Sequence, residues 1–333
     1  MFRRVLLLGL ALYAFESRAE GLTPDRLGLI YNRNVPASAR IAQYYAIQRH
    51  IPPGNLVGLS VSDSPVINRT ELSRLRTQVL AVLPSNVQSL LVIWSKPYAV
   101  ECMSITTAMA AGFQPGFCEP GCADTTRNPL FDNNGWLPAD TVGWLPAMLL
   151  PSEHEAMARA LIDRGIEADG SRPGGTMYLV RSQDAIRNVR AVEYPDTETL
   201  LSSRLRVREL TTPVDAAPSD IVAYFTGATR VDELDKLGFR PGAVADHLTS
   251  AGGVLQGGSQ MSALAWLNQG ATGSYGAVSE PCNRITKFPN PAVFMNHYLR
   301  GDTLLEAYWK SVEMPGQGLF IGEPLARPYG DPH

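Results

Sequence analysis

Short apolar runs alternate with amphipathic stretches from Leu27 onward, and this alternation limits the fold more than any other feature of the chain. Leu27–Tyr31 is a short apolar run bounded by polar residues, the pattern of a buried strand. Asn34–Ala37 turns the chain, and Ser38 is placed to cap a helix running to about Arg49, with Ile41, Tyr44 and Tyr45 on one side. Pro52-Pro53-Gly54 ends it, and Leu56–Val61 reads as a second strand. Asn68 and Glu71 form a capping-box-like start for the next helix, whose apolar stripe is Leu72, Leu75, Val79 and Val82. Pro84 stops that helix, and Leu90–Trp94 is a strong buried strand. A β-α-β-α-β order predicts an α/β fold with a mostly parallel sheet flanked by helices.

The pattern lapses over residues 96–151, which hold three of the four cysteines and several Gly and Pro. A loop this long inside a compact body is usually functional or pinned by cross-links, so an irregular, disulfide-pinned excursion over the sheet is expected. Regular structure resumes with a capping box between Ser152 and Glu155, opening a helix to Arg164 that Gly165 stops. Further strands are expected at 176–180, 221–225, 243–248 and 271–278, with helices at 260–267 and from Thr303 through Val312. Arg204, Arg206 and Arg208 alternate at strand period and read as the solvated face of an edge strand. No internal repeat is evident, and residues 20–333 read as a single α/β domain.

The first residues carry the parts of a secretory signal peptide, 1–19: Arg3 and Arg4, an apolar Val5–Phe15 too short to span a bilayer, and Ser17-Arg18-Ala19 as a cleavage site. A periplasmic or secreted protein with no stable membrane span after cleavage is expected. A hydrophobic share of 45% and a charged share of 18% suit a globular protein with a proper core. The formal net charge of -3, with scattered Lys and Arg, argues against a nucleic-acid partner. Cys102, Cys118, Cys122 and Cys282 form an even set in an exported chain, which favours two disulfides over the alternative of a four-Cys zinc site. Three pairings are open. No metal and no cofactor is expected.

In a parallel sheet, ligands bind beyond the carboxyl ends of the strands. Those ends carry Thr226, then Asp246 and His247 followed by Thr249 and Ser250, and Ser279-Glu280. His247 is a candidate general base, with Thr249 or Ser250 as candidate nucleophiles. Asp246, Thr226, Gln260 and Glu280 are candidate cleft residues. Asp246 and His247, being adjacent on a strand, point to opposite faces and cannot share one cleft. The glycine-rich turn at Gly252-Gly253 and Gly257-Gly258 lacks the spacing of a nucleotide-binding loop, and no Gly-x-Ser-x-Gly or His-Glu-x-x-His motif is present.

Gly270–Glu280, Leu304–Ser311 and Leu319–Leu325 resemble a block of the gingipain-like cysteine peptidases, over about the last third of the chain. Asp246–Ser250, Gln260-Met261-Ser262 and Pro315–Gly318 are similar to an uncharacterised exported bacterial family, over nearly all of it. The resemblance implies a caspase–gingipain-like fold. Such enzymes place a His-Gly after one strand and a Cys at the end of the next. The matching segments here, Tyr224–Ala228 and Ala245–Ala251, hold neither. Cys282 lies too late for the usual nucleophile, although a pairing with His247 stays open. The expectation is therefore a pseudoenzyme on this scaffold, binding a peptide, glycan or envelope component at the strand carboxyl ends. The alternatives are a peptidase-like hydrolase with altered residues around His247, and a structural or secretion-associated protein.

Overall fold

A computed structural model describes residues 21–118, 122–135, 139, 142–214 and 216–332. Residues 1–19, expected as a signal peptide, lie outside the described residues. The main element is a ten-stranded sheet. Its first strands are β1 (Leu27–Asn32), β2 (Leu56–Leu59), β4 (Ser89–Ile93) and β7 (Ala147–Leu150), all parallel. Between them lie α1 (Pro36–Gln48) and α2 (Arg69–Leu80). β3 (Val66–Ile67), β5 (Ala99–Val100) and β6 (Met103–Ser104) make a separate small sheet, followed by α3 (Ile105–Ala111).

After α4 (Glu155–Ala168), the chain lays down β8 (Thr176–Arg181), α5 (Tyr194–Leu201), β9 (Arg206–Thr211), β10 (Ile221–Gly227) and β11 (Phe239–Leu248). Then come α6 (Leu264–Gln269), β12 (Gly273–Ala277), α7 (Pro291–Leu299), α8 (Leu304–Ser311) and β13 (Gly318–Gly322). The spatial order is β2-β1-β4-β7-β13-β12-β11-β10-β8-β9. β8 to β12 are mutually parallel, and β13 runs antiparallel to β12 and meets β7 at the Ile321–Leu149 bridge.

The order holds a repetition that the sequence did not display. In each half-sheet the first strand is flanked outside by the second and inside by the third and fourth: β2-β1-β4-β7 and β9-β8-β10-β11. The carboxyl ends of the two halves open on the same edge, since Gln256, beyond β11, donates to Glu153, beyond β7 (2.5 Å).

Several local expectations need correcting. The stretch 96–151 is not irregular throughout, because it contains β5, β6, α3 and the central strand β7. α1 begins at Pro36, and Ser38 lies inside it. The buried Ser38 hydroxyl accepts from Asn32 N (2.9 Å) and donates to Ile93 O, so it ties the first turn of α1 to the ends of β1 and β4. No Ser152–Glu155 box forms: α4 has His154 at its N-cap, and Ser152 N donates to Ser95 Oγ (3.1 Å). Gly165 does not stop that helix but lies within it, where a Cβ would come 2.5 Å from Glu323 Oε2. Helix packing on β13 therefore selects glycine there. By contrast, Thr303 and Glu306 do form a full capping box for α8.

The core sits between β13 and the helices over it. All eight positions of α8 are buried, including Glu306 and Lys310. Glu306 is satisfied by Thr303 and by Leu22 N (3.0 Å), and Lys310 Nζ by Asp302 Oδ2 (2.6 Å). Trp309 stacks on Phe320 with ring centroids 4.5 Å apart. On the opposite side of β13, Arg49 joins Glu323 (2.6 Å) and Asp169, all nearly buried, locking α1 and α4 to the strand's end. Cys102 pairs with Cys118 and Cys122 with Cys282. No cysteine is free, so the zinc alternative and a Cys282 nucleophile both fall.

Candidate functional site

The residues singled out from the sequence do not converge. The register of β10 and β11 puts Thr226 beside His247 and Phe225 beside Asp246, so His247 and Asp246 lie on opposite faces.

His247 is fully buried under α6. Trp266 Nε1 donates to its Nδ1 (2.9 Å), so the ring is neutral there and its Nε2 donates to Met261 O (2.9 Å). Burial pushes its pKa down to about 4. Both nitrogens are thus committed, which pins His247 to α6 and to the Met261 backbone.

Asp246, expected in a cleft, is 1% exposed and faces Arg190, itself fully buried, at 2.5 Å. Burial pushes the Asp246 carboxyl up to about 6 against the opposing pull of Arg190. Arg190 also donates to Thr226 O (2.6 Å), and its guanidinium lies over the Phe225 ring. Next along, Glu193 accepts from Asn290 Nδ2 (2.8 Å), and burial pushes its pKa up to about 7.

Thr249 is also fully buried. Its hydroxyl accepts from Arg187 Nε (3.2 Å) and donates to Gln260 Oε1 (2.7 Å), which takes a second bond from Ala251 N (2.8 Å). Gln260 thus braces the turn after β11. Ser250 is half-buried in that turn. Glu280 is exposed and accepts from Cys282 N (2.7 Å), stabilising the disulfide-bearing turn far from Thr226 in the sheet order.

These contacts reveal a feature that single-residue reasoning missed. The loop after β8, running from Ser182 through a 3-10 turn at Asn188–Glu193, lies across the ends of β10 and β11. Arg187 O packs directly on Gly227, leaving no room for a Cβ. Ser182 Oγ donates to Gly227 O, and Arg187 NH1 is steadied by Asp184 Oδ2 (2.9 Å). The loop fills the space between the two strand ends with Arg187 on one side and Arg190 on the other.

Beside this plug a cleft of about 610 Å³ opens at the carboxyl ends of β8 and β10. Its floor includes Tyr224 and Thr226, and its walls are Thr212, Pro213, Val214 and Ala217 on one side and residues 228–233 with Leu237 on the other. Thr226 Oγ1 donates to Val180 O (2.9 Å). Tyr224 packs its ring on Trp266 (centroids 5.3 Å apart) and is 4% exposed. Arg230, Asp232, Asp184 and Gln183 stand at the rim. Among the described residues no cluster of His, Cys, Asp and Glu could hold a metal ion.

Compared with protein-family models, curated proteins and solved structures, the chain matches none. The class that fold and site define is an α/β protein with a mostly parallel sheet and two disulfides. Those disulfides fit an oxidising compartment outside the cytoplasm. No helix among the described residues is long and apolar enough to cross a membrane.

Proposed function

We propose that this chain is an extracytoplasmic binding protein on a caspase–gingipain-like scaffold, without peptidase activity, and that it takes a peptide, glycan or envelope component in the cleft at the ends of β8 and β10. One observation carries the reading. The space where a dyad would act is filled by Arg187 and Arg190, while the neighbouring cleft of about 610 Å³ stays open over Tyr224 and Thr226. A ligand that accepts from the Tyr224 hydroxyl in that cleft gains a hydrogen bond there. A hydrolase needs a base within reach of a nucleophile, and His247 and Thr249 are each held by other partners.

The test is to expose the mature protein to peptide and oligosaccharide libraries, following both binding and ligand mass. Retention of intact ligand is expected, weakened about two- to tenfold by Tyr224→Phe, which removes one hydrogen bond and no volume. Cleaved product, or an adduct with a fluorophosphonate probe on Thr249 or Ser250, would overturn the reading in favour of a hydrolase.

A further inference from the structure

The plug beside the cleft holds a charge arrangement of its own. Its 3-10 turn Asn188–Glu193 carries Arg190 and Glu193, and a turn of this kind stacks positions i and i+3 on one side. Arg190 therefore stands between two carboxyl groups, Asp246 on β11 and Glu193 on its own turn. Arg190 Nε, Glu193 Oε2 and Asp246 Oδ2 are all buried atoms, and none has a hydrogen-bond partner. Buried polar atoms are nearly always paired, so unpaired atoms on a guanidinium and on both of its carboxyl neighbours call for a reason.

The same guanidinium reaches the cleft. Its NH2 lies 2.5 Å from Asp246 Oδ1 and donates to Thr226 O (2.6 Å), while NH1 donates to Pro289 O (3.5 Å). Thr226 belongs to the cleft floor, and Ser182–Asp184, at the other end of the plug, belong to its wall.

The elements packed around this group add no second permanent charge. Asn290, the N-cap of α7, donates to Glu193 Oε1 (2.8 Å). Tyr194 on α5, Tyr275 on β12 and Tyr308 on α8 all lie within the field of Asp246, and burial pushes their pKa values up, so they stay neutral. Behind the sheet, burial and then Arg190 keep His247 neutral. One fixed positive charge thus faces two carboxyl groups. Burial raises both, Asp246 to about 6 and Glu193 to about 7, so Glu193 is the last to ionise. Its ionisation leaves the plug with an excess negative charge that one arginine must share, and an unshared buried charge is costly.

We infer that Glu193 is a proton switch on the cleft, acting through the Arg190 guanidinium. With the proton on Glu193, Arg190 serves Asp246 and clamps Thr226 O, which holds the cleft floor. When the proton leaves to solvent, Arg190 turns its Nε to Glu193 Oε2 and takes NH2 off Thr226 O, which frees the end of β10. A preorganised floor costs a ligand less to bind, so the cleft binds more tightly in the protonated, clamped form. The inference rests on the binding reading above and names its regulation.

The experiment is a pH titration of the purified protein between about pH 5 and 9, followed by NMR at two groups. One is the Arg190 Nε–H. The other is the Gly227 amide, which shares a peptide unit with Thr226 O. Both are expected to shift together with a midpoint near 7. Glu193→Gln keeps the bond from Asn290 and is expected to abolish the shift. Asn290→Asp keeps a capping oxygen for α7 but sets a carboxylate beside Glu193, and is expected to move the midpoint upward. A Gly227 amide that does not titrate, or that titrates equally in Glu193→Gln, would overturn the switch. The peptide and oligosaccharide libraries are then applied at both ends of the pH range. Retention by the wild type is expected to fall at least about twofold at high pH, as it must if half or less of the protein stays clamped, and to stay level in Glu193→Gln. Retention that ignores pH over a titrating clamp would overturn the coupling and leave the cleft reading standing, whereas no retention at any pH would overturn both.

Discussion

The two half-sheets take the same strand order and finish it differently. In the N-terminal half, the step from the outer strand β2 back to β4 carries α2, a helix of 12 residues. In the C-terminal half, the matching step from β9 back to β10 holds no helix among its described residues, 212–214 and 216–220, and the next step, from β10 to β11, has only a 3-10 turn at Leu234–Lys236 among the described residues. A crossover helix seals the sheet face it covers, and a loop in its place leaves grooves. A groove of about 520 Å³ beside β9 and the 610 Å³ cleft lie where these helices are missing. The two cavities thus fall where a repeated architecture is left incomplete.

The largest effect expected from breaking this comparison is at the plug. Arg190→Met leaves Asp246 buried without its partner, and should cost about 3–5 kcal/mol in urea unfolding. A loss under about 1 kcal/mol would show that the 182–193 loop is not part of the folded core. Second, the two matching crossovers should respond differently. Leu75→Pro, inside α2, is expected to cost about 3 kcal/mol or more. A four-residue Gly-Ser insertion after Ala216 should cost under about 1 kcal/mol. Equal costs would remove the distinction between a sealing helix and a tolerant loop.

The third effect concerns pH. Glu193 titrates near 7 in the fold against an ordinary 4.5, so the folded state holds its proton more tightly than the unfolded chain does. The resulting stabilisation is present in full below about 4.5 and is lost as pH rises through about 7. The share of the urea midpoint owed to Glu193 should therefore fall between pH 5 and 8, and Glu193→Gln should remove it, read as the difference between the two midpoint–pH curves. An unchanged slope in the variant would place the titration elsewhere. The smallest effect is at a cap: Asn68 Oδ1 accepts from Glu71 N (2.9 Å), and Asn68→Ala should cost about 1 kcal/mol by thermal unfolding.

Much of the scaffold was legible because burial on both faces leaves continuous apolar runs, as in Leu27–Tyr31 and Leu90–Ile93. β7 escaped notice because Ala147–Leu150 is four residues long, lies between Pro146 and Pro151, and follows an irregular stretch. β13 escaped because Gly318 and Gly322 frame a three-residue apolar run, with Tyr275 and Thr272 leaving no space for side chains at those ends.

The candidate site was legible only in part. Thr226 does line the cleft, and opposite facing of Asp246 and His247 follows from strand alternation alone. The plug could not be read, since Arg187 meets Thr249 across 62 positions and Arg190 meets Thr226 across 36. No local pattern reports such distances. Nor does composition reveal that two crossovers have lost their helices.

The most direct test of the central claim is residue-resolved hydrogen exchange on the purified protein. The account predicts that residues 212–214, 216–220 and 228–238 exchange far faster than α2. Exchange of those residues as slow as that of α2 would contradict it.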